Sequence, residues 1–181
     1  WRITVKREAP TQRPTGFVSS LLHELEVGDT LKAGTPYGDF VLQADDAAVV
    51  LISAGVGITP MVSILNTLAE QKTTLPVRFI HAARHPNQVA LDADIAKAVQ
   101  NLPDFRSAFF YEQPADVSEA FTGLMDLERV SLEDLPEKTG YYLCGLLAFM
   151  RVQRQYLQAQ GVPAQRIHYE VFGPDMFTGL Q

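Results

Sequence analysis

The chain is poor in cysteine, histidine and tryptophan, and it has no long apolar run. One cysteine among 181 residues excludes an internal disulfide framework. Four histidines without metal-ligand spacing, beside that lone cysteine, give no cluster for zinc or iron–sulfur. No haem-binding segment is visible, so any haem is expected outside this chain. No apolar stretch approaches the roughly 20 residues that span a bilayer, which argues against a membrane partner. No secretory signal pattern opens the sequence, and a reducing cytoplasm is the simplest home. A net charge of −6 argues against nucleic acid, whose binders usually carry a basic face. There are no repeats and no low-complexity segments. There is also no initiator methionine. The chain opens Trp1-Arg2-Ile3-Thr4-Val5 with apolar residues already alternating, which reads as a strand under way and predicts further residues upstream.

What is present is an ordinary globular profile, 46% hydrophobic and 20% charged. Its most informative segment is Ala48-Val49-Val50-Leu51-Ile52-Ser53-Ala54-Gly55-Val56-Gly57-Ile58-Thr59-Pro60. The near-continuous apolar part reads as a strand buried on both faces. Met61, Ile64, Leu65, Leu68 and Ala69 then recur at helical spacing. Thr59 is expected to cap that helix and Pro60 to occupy its first position. Strand, glycine turn and helix N-terminus together make an anion site, of which the pyrophosphate of a dinucleotide is the natural occupant. The glycine pair alone is equally compatible with a plain strand–turn–helix connection.

Two further segments share the pattern. Gly140-Tyr141-Tyr142-Leu143-Cys144-Gly145 is a short buried strand followed by Phe149, Val152, Tyr156 and Leu157 on one helical face. Ile167-His168-Tyr169-Glu170-Val171-Phe172-Gly173-Pro174 is the other. All three put glycine and a functional side chain where a parallel sheet binds ligands, at the carboxyl ends of its strands. Strands are predicted near 48–54, 76–83, 106–111, 140–144 and 166–172. Helices are predicted near 60–71, 91–101 and 147–160, with a short one at 131–135. Glu112–Thr122 reads as an exposed loop. Residues 1–44 predict a helix carrying Val18, Leu21, Leu22 and Leu25, and short strands that include Thr30–Ala33 and Asp39–Leu42.

The motifs Ala-Gly-Val-Gly-Ile-Thr-Pro, Tyr-Leu-Cys-Gly-x-x-x-Phe-Met and His-Tyr-Glu-Val-Phe-Gly-Pro, in this order, resemble the ferredoxin–NADP reductase superfamily. They are most similar to the reductase portion of bacterial flavohaemoglobins. The resemblance runs over essentially the whole chain. It implies an α/β fold: a five-stranded, parallel, doubly wound NAD(P)H-binding domain at 45–181. Before it, at 1–44, would come the second half of an antiparallel flavin-binding barrel. The family's Arg-x-Tyr-Ser flavin motif would fall just before Trp1, and the family proline after Cys-Gly is replaced by Leu146.

The resemblance also implies roles. Gly55, Val56, Gly57, Ile58, Thr59, Pro60 and Gly145 would bind the nicotinamide dinucleotide. Cys144 and Glu170 would form the catalytic pair, with Cys144 placing the nicotinamide ring rather than attacking it. Phe172, Gly173 and Pro174 would pack on the flavin, and Gly16, Val18 and Ser19 would hold its pyrophosphate. Read without the resemblance, Cys144 is equally a small buried residue, Glu170 an outward strand residue and Ser19 a helix cap. Arg84, after the second strand, suits a 2′-phosphate and hence NADPH. The relatives' His-Ala-Ala segment, matched by His81-Ala82-Ala83, favours NADH. The implied cofactors are FAD and NADH, and the implied partner is an upstream globin whose haem takes the electrons for nitric oxide detoxification. Two alternatives stand: a flavin reductase serving another acceptor such as an iron–sulfur protein, and a non-catalytic nucleotide-binding remnant.

Overall fold

The computed structural model describes residues 2–6, 17–113 and 120–171. Gly16, Phe172, Gly173 and Pro174 lie outside the described residues. The chain divides into two compact units, Trp1–Asp39 and Phe40–Gln181. The sequence reading placed the boundary between 44 and 45, whereas Phe40 and Leu42 pack on the core of the second unit.

In the first unit the described structure is a helix, α1 (Phe17–Glu24). The strands expected at Thr30–Ala33 and Asp39–Leu42 do not form; 30–37 and 41–42 have no regular structure. A strand is held by ladder bonds to a neighbour, and among the described residues these segments have none.

The second unit is built on apolar runs. β1 (Ala48–Ala54), β2 (Val77–Ala83), β3 (Phe105–Tyr111), β4 (Phe121–Thr122), β5 (Thr139–Gly145) and β6 (Ile167–Val171) form a parallel sheet in the order β4-β3-β2-β1-β5-β6. β1 and β5 are central and are buried almost throughout, which explains why their sequences do not alternate. α2 (Ile58–Glu70) and α3 (Asp92–Val99) cover one face, packing Met61, Leu65, Leu68 and Ile95 on Val49, Leu51 and Phe79. α4 (Leu147–Ala159) covers the other face through Met150 and Leu157, against Val50, Ile52 and Leu143. Helices on both faces of a parallel sheet confirm the expected doubly wound α/β class.

Three local expectations are corrected. The sheet gains a sixth strand inside the segment read as a loop, because Phe121 stacks on Phe110 with ring centroids 4.6 Å apart and pairs beside β3. The helical turn expected at 131–135 is instead a 3₁₀ turn at Leu127–Arg129, capped by the Asp126 carboxylate accepting from the Glu128 N–H at 3.0 Å. Finally, α2 begins at Ile58 with Gly57 as its cap, so Thr59 is not the N-cap and Pro60 is the third helical residue. The 3₁₀ turn at Gly55–Gly57 has already bent the chain, and Pro60 is tolerated because N–H groups of a first turn have no helical partner.

Tyr142 joins the amino ends of the strands. Its hydroxyl donates to Asp46 Oδ2 at 2.5 Å and accepts from the Gln43 N–H at 2.8 Å. Its ring stacks on His168 at 4.8 Å and meets Phe40 edge-on at 5.8 Å. Arg166, ahead of β6, binds Asp46 at 3.2 Å and Asp45 at 2.7 Å. A Cβ added to Gly140 would collide with the Asp46 carboxylate, so the acid fills the space a side chain would take.

Candidate nucleotide site at the sheet's carboxyl edge

The strand order fixes where a ligand site forms. From β1 the chain builds outward through β2, β3 and β4, and β5 and β6 then extend the opposite side. The switch point is the gap between the carboxyl ends of β1 and β5. β1 ends at Ala54-Gly55 and β5 at Cys144-Gly145. Two of the three motifs therefore meet at the crevice where open α/β sheets bind ligands.

At that edge the register aligns four polar side chains across four strands. His81 pairs with Ser53, Ser53 with Cys144, and Cys144 with Glu170. Ser53 Oγ and His81 Nδ1 share a 2.9 Å hydrogen bond, both side chains being fully buried. Burial pulls the His81 imidazole down to about 4, only partly offset by its hydrogen bond with Ser53. The ring is therefore neutral at physiological pH, and its Nε2 is buried with no hydrogen-bond partner among the described residues.

A stability prediction arises here. His81 titrates near 6.5 when unfolded and about 4 when folded, so the unfolded chain takes up the proton first. Its contribution is present above pH 6.5 and disappears as pH falls towards 4, on the order of 3 kcal/mol in all. Thermal melts between pH 7.5 and 4.5 should show His81→Gln losing less stability than the parent protein. Parallel curves would contradict the assignment.

Cys144 is fully buried. Burial, reinforced by the Glu170 charge, pushes its thiol up to about 12. A thiol held neutral is no nucleophile. At pH 8 the native protein should resist a thiol reagent that labels the denatured chain completely; labelling of the native chain at the rate of free cysteine would disprove this. Glu170 is half-buried at the edge of β6, beside Cys144.

The phosphate cradle follows from close packing. Gly55 has φ +56°, the left-handed region that favours glycine. Gly57 has an ordinary φ of −61°, but a Cβ there would land on the Cys144 carbonyl. The turn after β1 thus rests directly on the backbone ending β5. Gly145 is constrained less severely, since its added Cβ would lie 2.9 Å from Phe149 Cδ1, a side chain that would have to shift. α2 has no side-chain cap and no acidic residue in its first turn, so its positive dipole end is left to an anion, although the Ile58 N–H already bonds back to the Gly55 and Val56 carbonyls.

The remaining expected residues separate. Arg84 is exposed directly after β2, on the same carboxyl edge. Leu146, in the place of the family proline, is 80% exposed. Val18 and Ser19 lie in the first turn of α1, in the other unit. Ser53 carries none of the roles expected from the sequence, and strand register is what brings it to His81. A cavity of about 560 Å³ lies elsewhere, between 40–46 and α2, and contains none of the motif residues.

Comparison with known proteins agrees with this geometry. The oxidoreductase NAD-binding domain family matches residues 51–155. A flavohemoprotein from Rhizobium meliloti (strain 1021) is 44% identical over 185 residues, covering 98% of this chain and 46% of that protein. The chain thus spans about half the length of the curated relatives it matches. The crystal structure of the Flavohem-like FAD/NAD binding domain of nitric oxide dioxygenase from Vibrio cholerae O1 biovar El Tor is similar over 94% of this chain and 70% of that one. Its identity is 37% and its TM-score 0.83. A flavohemoglobin from Malassezia yamatoensis, determined with bound FAD and heme, matches over 90% of this chain and 42% of that one, at 30% identity and TM-score 0.79.

Proposed function

We propose, on the premise that this chain belongs to the oxidoreductase NAD-binding domain family and within it to the flavohaemoglobin-type reductase domains, that it takes hydride from NADH and passes it to FAD. Electrons then go to a haem on a globin domain of the whole protein, for nitric oxide detoxification. The observation that carries this reading is the meeting of the Gly55–Gly57 turn and Cys144–Gly145 at the switch point of the sheet. The residues fit a dinucleotide. Two glycines leave a cradle where a Cβ would clash or strain, and an uncapped helix end faces it.

In this reading the Gly55–Gly57 turn and the positive dipole end of α2 bind the pyrophosphate. Gly145 leaves room for the nicotinamide half. Cys144 is a positioning residue. Its side chain has no exposed surface, so it acts by fixing the carbonyl on which Gly57 rests and the floor below the ring. Glu170 sets a carboxylate beside that floor and orients hydrogen bonds there. Arg84 is free to meet the adenosine end; NADH is the preferred donor. Val18 and Ser19 bind the flavin pyrophosphate with Gly16, and Phe172, Gly173 and Pro174 pack on the flavin. The first unit contributes to the flavin-binding barrel and the second forms the nicotinamide-binding domain. When bound, nicotinamide supplies the hydride and flavin converts the pair into single electrons; the protein supplies binding and orientation. The cytoplasm suits a chain with one buried, neutral thiol.

The test is an anaerobic visible spectrum of the purified chain with added FAD, before and after NADH. The reading predicts flavin bands that bleach on NADH addition. Bands that never bleach, with NADH unable to bind, would overturn it.

A further inference from the structure

We propose a second anion site, on the opposite face and at the opposite end of the sheet, that takes the phosphate group of a small molecule. Arg78 and Arg106 are register partners on the neighbouring strands β2 and β3. Like charges placed directly opposite in a sheet repel. Arg129 joins them in lining one cavity of about 210 Å³, with Ser131 and Phe121. Three arginines thus line one small cavity on a chain whose net charge is −6.

Among the described residues one carboxylate pairs with them. Arg78, only 5% exposed, binds Asp104 Oδ1 at 2.8 Å. All its acceptors among the described residues are on Nη1: the Val77 and Asp104 carbonyls and that carboxylate. The Arg106 side chain has no hydrogen bond or ion pair among the described residues. Arg129 is held over the Phe121 ring, 4.6 Å from its centroid, and donates one bond, to the Thr122 carbonyl at 3.3 Å. The ring and that bond fix the guanidinium in place without cancelling its charge.

Three arginines lining a small cavity, two of them held in place, match a tetrahedral oxyanion, which accepts forked N–H pairs from several sides. The volume suits one phosphate and a compact carrier; dinucleotides are far larger. The apolar wall formed by Ile80, Ala108 and Phe121 would face the carrier. The nucleotide site is separate: Arg78 is three residues before His81, on the other face of β2.

The test is a residue-resolved NMR titration of the whole chain with inorganic phosphate, against chloride at matched ionic strength. The proposal predicts saturable shifts at Arg106, Ser107 and Arg129–Ser131, weakened at least tenfold in Arg106→Gln/Arg129→Gln. Both side chains are exposed, so the fold should survive, and Arg106→Gln alone should give an intermediate loss. A second arm uses phenyl phosphate. Tighter binding than inorganic phosphate assigns an organic phosphate; equal binding assigns the free ion. Absence of saturable shifts at these residues, or shifts unchanged in the double variant, overturns the proposal.

Discussion

Replacing Gly57 with valine is expected to abolish saturable NADH binding and to lower the thermal midpoint together. The backbone at Gly57 is ordinary, so the cause is not conformational strain. The new Cβ would sit on the Cys144 carbonyl, and the turn can relieve that only by moving off the end of β5. Overpacking of this kind typically costs about 1–3 kcal/mol or more. The two methyl groups would also crowd the space assigned to the pyrophosphate. Gly55→Ala separates the two effects. Nothing lies within 4 Å of its added Cβ, so its penalty is left-handed backbone strain alone, about 1–2 kcal/mol. That variant should remain folded with weakened NADH affinity. A folded Gly57→Val protein that binds NADH as tightly as the parent would sink the pyrophosphate assignment.

Tyr142→Ala is expected to destabilise the protein strongly, at about 3–5 kcal/mol for a fully buried aromatic. It empties the space between Phe40 and His168 and leaves Asp46 without its hydroxyl donor. Tyr142→Phe keeps the ring and removes only the hydroxyl that binds Asp46 and Gln43, so it should cost about 1–3 kcal/mol. Chemical denaturation of both variants checks the order. If Tyr142→Phe proves as damaging as Tyr142→Ala, the hydroxyl network dominates; if both are neutral, the Tyr142 junction contributes nothing to stability.

The sequence carried a clear outline of the second unit because its strands are apolar on both faces. Val49–Ile52 and Tyr141–Leu143 could hardly be anything but central strands, and Gly55, Gly57 and Gly145 marked their ends. Pairing between strands far apart in sequence was not legible. The row His81–Ser53–Cys144–Glu170 is a product of register, and no local pattern encodes it. The reason Gly57 must be glycine was hidden for the same cause, since its obstacle is a carbonyl 87 positions along the chain. Thr59-Pro60 has the local signature of a helix start, but the preceding 3₁₀ turn had already begun the helix. β4 was lost within a polar stretch because two residues are too few for a period, and it forms through the stacking of Phe121 on Phe110. The segments at Thr30–Ala33 and Asp39–Leu42 show the converse: strand-like residues make no strand without a neighbour to complete the ladder.

The most direct test of the account is an NMR titration of the chain with NADH, reading backbone amides. The account predicts saturable shifts in two groups at once, Gly55–Thr59 and Cys144–Gly145, with Arg84 responding as the adenosine end seats. Shifts confined to one group, or no saturable shifts at either, would contradict a dinucleotide lying across the switch point.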